Sequence, residues 1–147
     1  MKNIVPIRRA DARLLSSLAD FRHALREFLQ FSERASVEAG IQPQQHQLML
    51  QVAGAPEPAA TTVAYVAERL GLKHNSAVEL VDRSENEGLV AREEDPADRR
   101  RAIVRLTQKG ERLLDRLAGD HARELSVMAP RLIENLERVR RHAAVAR

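Results

Sequence analysis

Three consecutive arginines, Arg99, Arg100 and Arg101, follow the turn-forming run Asp95-Pro96-Ala97-Asp98. A guanidinium keeps its charge at any accessible pH and needs water, a carboxylate or a phosphate beside it. Arginines at the tip of a turn therefore suit phosphate contact, or insertion into a narrow nucleic-acid groove whose negative potential attracts them. A solvated charge run is the competing explanation of the same string. Asp98 cannot touch a phosphate. It is expected either to fix the wing against the preceding helix by pairing with an arginine such as Arg83 or to stand as an exposed turn residue.

Upstream, Ala77, Leu80 and Val81 recur at helical spacing. At about 100° per residue they turn Asn75, Glu79, Asp82 and Asn86 to the opposite face, with Ser76, Val78 and Arg83 on the flanks. The first residues of such a helix reach base edges when it docks in a major groove. Asn can bridge adenine, Ser adapts to several partners and Glu accepts from cytosine N4. His74, Asn75, Ser76 and Glu79 are thus the expected base readers, with Arg83 beside them. Carboxylates on that face would repel phosphates, so Asp82 is expected to be neutralised by a neighbouring arginine, one in the hairpin being a candidate.

Several elements must position these groups. Residues 11–39 carry Leu14, Leu18, Phe21, Leu25 and Phe28 at steps of four and three, widened by Leu15 and Leu29, which predicts a long amphipathic helix ended by Gly40. Pro43 suits the first turn of a second helix over 44–53, and Gly54-Ala55-Pro56-Glu57-Pro58 breaks it. Thr61 and Thr62 are candidate caps of a short helix bearing Val63, Ala67 and Leu70 and closed by Gly71. The helix over 74–87 follows after a tight turn, giving a helix-turn-helix. Next, Leu89-Val90-Ala91-Arg92 and Ala102-Ile103-Val104-Arg105-Leu106 predict a hairpin with a charged tip, a wing. Thr107 caps a helix with Leu113, Leu114, Leu117 and Leu125, and Pro130 is expected to open a separate last helix with Leu132, Ile133, Leu136 and Val139.

Composition removes several classes. With 147 residues, a formal charge of +3 and aromatics at only 3%, the chain lacks the platforms on which single strands stack. Cysteine is absent, which rules out disulfides, thiolate ligands and thiol-based sensing. No Gly-rich phosphate loop, paired-histidine zinc motif or Gly-x-Ser-x-Gly nucleophile occurs. His23, His46, His74, His121 and His142 are scattered. No enzyme, cofactor or metal is expected. The N-terminal apolar stretch is too short for a signal sequence and no run approaches the roughly 18 apolar residues of a membrane span, so a cytoplasmic protein is expected. Lys2, Arg8, Arg9 and Arg13 form a basic N-terminal arm able to add phosphate contacts.

The central residues resemble the multiple antibiotic resistance regulator (MarR) family of bacterial winged-helix proteins. The resemblance lies in Leu70-Gly71-Leu72-Lys73-His74-Asn75-Ser76-Ala77-Val78, then Val81-Asp82-Arg83, Glu85 and Gly88-Leu89-Val90. It continues through Asp95-Pro96-Ala97-Asp98-Arg99-Arg100, Val104-Arg105-Leu106-Thr107, Lys109-Gly110 and Leu113, covering residues 61–114. Ser84 departs from it, since the family usually carries an apolar residue there. The resemblance implies an obligate homodimer on a pseudo-palindromic double-stranded operator, often released by a small-molecule effector. It also implies that Arg100 enters the minor groove while Arg99 and Arg101 sit on phosphates.

The expected architecture is mainly α with a two- or three-stranded β-wing, a winged helix-turn-helix over 43–110 between dimerisation helices at 11–40 and 112–147, in one regulator domain. Leu14, Leu18 and Phe21 with Leu132, Leu136 and Val139 are the candidate dimer contacts, because their stripes are wider than one small core consumes. The expected function is that of a ligand-responsive repressor. A winged helix that binds protein through the acidic face of its second helix is the alternative, and it leaves Arg99–Arg101 without work.

Overall fold

The computed structural model describes residues 1–4 and 9–145, with side chains from Ala12 onward in the helical part; Arg8 and the side chain of Arg9 lie outside the described residues. The elements are α1 (Arg9–Glu38), α2 (Pro43–Ala53), α3 (Val63–Leu70), α4 (His74–Asn86), β1 (Val90–Glu94), β2 (Ala102–Leu106) and α5 (Gln108–Val145). They fall into two compact units, Glu33–Asp120 and Met1–Ser32 with His121–Arg147.

The first unit is built on Leu48, Met49, Val66, Leu80, Val81, Leu89, Val90, Val104 and Leu117, each almost wholly removed from water. Its helix ends follow from local chemistry. Pro43 opens α2, where the Gln42 amide donates to Gln45 Oε1 at 2.9 Å. Thr62 Oγ1 accepts the Tyr65 amide at 3.1 Å and so caps α3, while Gly71 closes it in the left-handed region at φ +65°. Thr61, the other cap candidate, does something else. Its hydroxyl donates to the Val104 carbonyl at 2.7 Å and its carbonyl accepts the Val104 amide at 2.8 Å. This ties the approach to α3 onto β2, the free side of a two-stranded antiparallel sheet that runs in register from Val90↔Leu106 to Glu94↔Ala102.

Thr107 caps α5 as expected, accepting the Gly110 amide at 3.1 Å. An added Cβ at Gly110 would fall 2.1 Å from the Leu89 carbonyl oxygen, so only glycine lets this first turn lie against the end of the α4–β1 connection.

The expected break at Pro130 does not occur, for α5 runs through it. Pro130 lies on the exposed side, whereas Met128, Leu132, Asn135 and Val139 continue an inward stripe at helical spacing on both sides of it. One missing amide donor faces water there, and burial of the continuous stripe outweighs it.

In the second unit, the expected α1 stripe proves to be two stripes. Leu14, Phe21 and Phe28 are half-buried with Ser17 and Ala24 fully buried between them, whereas Leu15, Leu18, Leu25 and Leu29 are 40–52% exposed. Phe28 and Phe31 meet the His121 ring edge-on, with centroids 5.8 and 5.2 Å away, and His121 Nε2 lies 2.8 Å from Ser32 Oγ. Hydrophobic spacing marks the apolar side of a helix without saying which half of it the neighbouring helix covers.

Candidate nucleic-acid interface

Two protruding groups of residues belong to the winged-helix unit. One is the start of α4. Lys73 precedes it in extended conformation and offers no side-chain cap, and no acidic residue occupies the first turn. The orphan amides at this end keep their affinity for an anion. His74, Asn75, Ser76 and Glu79 are all exposed, while Ala77, Leu80, Val81 and Ser84 are buried. Ser84 needs no apolar replacement, because its hydroxyl donates to the Leu80 carbonyl at 2.8 Å.

The carboxylates of α4 are largely compensated. Arg92 of β1 reaches back with one Nη to Asp82 at 2.5 Å and with the other to Glu85 at 2.9 Å, and its amide donates to Glu85 Oε2 at 2.8 Å. Burial opposes the charge on Arg92. The hydrogen bond and charge of Asp82, then those of Glu85, outweigh it and raise the pKa. Asp82 is thus neutralised by an arginine of the hairpin, as expected. Glu79 has no ion-pair partner among the described residues.

The wing tip is the second group. Asp95, only 5% exposed, accepts the Ala97 amide at 2.9 Å and holds Arg101 Nε at 2.6 Å. Asp98 accepts the Arg100 amide at 3.0 Å and binds the Arg100 guanidinium at 3.0 and 3.2 Å. These are side-chain-to-backbone turns of the kind aspartate favours. The Ala97 amide and then Arg101 hold the Asp95 carboxyl below the usual carboxylate range. For Asp98 the Arg100 side chain does most of this, followed by the Arg100 amide.

The expected Asp98–Arg83 pair is therefore absent. Asp98 organises its own turn through Arg100, and Arg83, half-buried, has an Nε without a hydrogen-bond partner. The bond between wing and α4 is made instead by Arg92, which spacing did not single out. The only signal was its position on a strand whose alternate residues, Val90 and Arg92, face α4. Arg99 and Arg100 project with side chains 89% and 91% exposed; Arg101 is half as exposed because it is tied to Asp95.

The remaining expected residues lie elsewhere. Arg13 is part of α1 in the second unit, not of an extended arm. Phe21, Leu132 and Val139 are half-buried, and Leu18 and Leu136 are 42% and 50% exposed. No group of three or more metal-binding side chains occurs among the described residues, and none of their helices is long and apolar enough to cross a membrane.

Residues 39–101 match the family model described as the MarR family. The transcriptional regulator HosA of Escherichia coli O111:H- is 45% identical over 60 residues, 41% of this chain and 44% of its own length. YkoM, an HTH-type transcriptional regulator of Bacillus subtilis (strain 168), is 29% identical over 103 residues, 69% of this chain and 64% of its own. The matches span less than two thirds of either relative. A solved structure of an S. aureus MepR mutant bound to an oligodeoxyribonucleotide has the same fold, with a TM-score of 0.63 at 19% identity over 86% of this chain and 91% of the other.

Proposed function

We propose, from the match of residues 39–101 to the MarR family model, that the chain is a member of that family and a homodimeric, sequence-selective regulator of transcription that binds double-stranded DNA. The observation that carries this is the pairing, in one unit, of an uncapped, acid-free α4 N-terminus with two projecting arginines on a braced wing. In the proposed complex His74, Asn75, Ser76 and Glu79 read base edges in the major groove, with Arg83 flanking. Arg100 enters the minor groove, Arg99 contacts phosphate, and Arg101 adds charge while its bond to Asp95 fixes the loop. Asp98 presets the Arg100 guanidinium. That the MepR neighbour of the same fold was solved bound to an oligodeoxyribonucleotide supports DNA as the partner.

The exposed Leu18 and Leu136 support dimerisation through the faces that also carry Leu14, Phe21, Leu132 and Val139, which are half-buried in the single chain. Release by a small-molecule effector, repression as the outcome and a cytoplasmic site of action complete the proposal.

Phosphate and minor-groove contacts set affinity, whereas base contacts set sequence choice. Arg100→Ala is expected to weaken operator and random duplex alike and to lower the slope of log affinity against log salt by about one. Asn75→Ala is expected to cost roughly 1–3 kcal/mol on the operator and little on random DNA. Binding isotherms at several salt concentrations read both. Unchanged affinities in both variants would remove these residues from any DNA contact and favour the protein-binding alternative.

A further inference from the structure

The start of α5 sorts its charges by side. Glu111 and Asp115 line a cleft beside the α2–α3 connection, whereas Lys109, Arg112 and Arg116 line a separate cavity of about 340 Å³. Like charges four residues apart on a helix repel, and this stretch has two such pairs, Glu111 with Asp115 and Arg112 with Arg116. None of these four side chains has an ion-pair partner among the described residues. A merely solvated face needs no such sorting, since exchanging one member of each pair would turn both into salt bridges. Lys109, the second residue of α5, also stands at the end where the helix dipole disfavours a cation.

The cavity is built within the winged-helix unit. Ile41 from the α1–α2 connection and Leu89 from the α4–β1 connection, 9% and 1% exposed, form an apolar floor with Leu113 of α5. Against the three cations there is one carboxylate in the lining, that of Glu87. Lys109 Nζ donates to the Glu87 carbonyl at 2.8 Å and so ties α5 to the end of α4. Position keeps the cavity away from DNA. The 13 residues of α4 span about 20 Å, with His74 at the proposed DNA end and Glu87 and Leu89 beyond the other. No lining residue belongs to the exposed leucine stripes offered for dimerisation.

We propose that this cavity binds a small organic phosphate, a monoester whose head group is shared by Lys109, Arg112 and Arg116 while a compact apolar body lies on Ile41, Leu89 and Leu113. Three cations opposed by one carboxylate leave two positive charges, which match a phosphate dianion. Charge-assisted hydrogen bonds to that phosphate relieve the repulsion between Arg112 and Arg116. The volume lies at the small end of ligand sites and suits a body of about one ring. Bridging α5 to the α1–α2 and α4–β1 connections, the ligand stabilises the winged-helix unit. The inference does not use the DNA reading, and failure of operator binding would leave it standing.

Calorimetric titration and thermal denaturation of the full chain with phenyl phosphate, inorganic phosphate and phenol, at constant ionic strength in chloride, test it. Phenyl phosphate is expected to bind at one site per protomer and raise the melting temperature, with inorganic phosphate and phenol both weaker. Arg112→Gln and Arg116→Gln are each expected to weaken phenyl phosphate roughly tenfold or more. Without ligand these variants are expected to melt no lower than the parent, since a like-charge pair is removed, so lost binding is not lost folding. Arg100→Ala at the wing and Arg141→Gln near the end of α5 are expected to bind phenyl phosphate as the parent does. The proposal is overturned if phenyl phosphate does not bind, if inorganic phosphate or phenol binds as tightly, if Arg112→Gln or Arg116→Gln keeps the parent's affinity, or if Arg100→Ala or Arg141→Gln abolishes binding.

Discussion

At the scale of residues, Arg92 decides whether the exposed face of α4 is acidic. It is 26% exposed and holds Asp82 and Glu85 together, so removing it frees two carboxylates beside the proposed DNA backbone. Arg92→Ala is expected to weaken DNA binding on the order of tenfold, and adding Asp82→Asn is expected to recover part of that loss, a coupling that a double-mutant cycle measures. Folding stability should change little, about 0–1 kcal/mol, because the pair to Asp82 is largely solvated. Asp95 and Asp98 give the wing tip a pH dependence. Both have folded-state pKa values below the unfolded aspartate value of about 3.9. Their contribution is therefore complete above that value and is lost as pH falls through the lowered folded values. Amide exchange at Ala97 and Arg100, followed by NMR, should show protection that is constant at neutral pH and collapses only below about pH 4. Loss of protection between pH 5 and 7 would contradict the assignment.

Among the elements, α5 shows burial overriding a local break. The proline costs a helix interior about 3 kcal/mol, and its position on the exposed side lets the inward stripe from Met128 to Val139 continue. Pro130→Ala restores a donor for the Ser126 carbonyl without touching that stripe. It is expected to raise stability by up to about 3 kcal/mol, read as a higher melting temperature. A lower one would mean that Pro130 has a packing role. The α4–β1–β2 segment shows the opposite relation, in which local signals and final structure agree. Gly71, Thr62 and Thr107 stop and start helices where their backbone and hydroxyl preferences dictate.

For the whole molecule, the unsatisfied surface is the leucine stripe. Leu15, Leu18, Leu25 and Leu29 of α1 and Ile133 and Leu136 of α5 are each at least 40% exposed in the single chain. A stripe this long on helices that have already buried their other side is the surface on which the proposed dimer rests. Light scattering at micromolar concentration is expected to give twice the chain mass of 16.5 kDa. Leu136→Asp is expected to shift the protein toward monomer and to lower operator affinity with it, because an unpaired carboxylate would be buried at the contact. A wild-type monomer would end the dimer proposal and leave the stripe to another partner.

The sequence alone determined the order of elements, the helix-turn-helix, the wing and the outward-facing residues of α4. These rest on short-range rules, namely helical periodicity, glycine at left-handed positions and hydroxyl caps, which operate within a few residues. Tertiary structure decided whatever depends on groups distant in the chain. Arg92 and not Asp98 joins wing to α4, because strand alternation and the hairpin register bring it opposite Asp82 and Glu85. Thr61 extends the sheet because Val104 lies beside it. The apolar stripe of α1 divides into a covered and an open half, and Pro130 continues a helix it would locally end, because side-chain burial exceeds the free energy of a single backbone hydrogen bond.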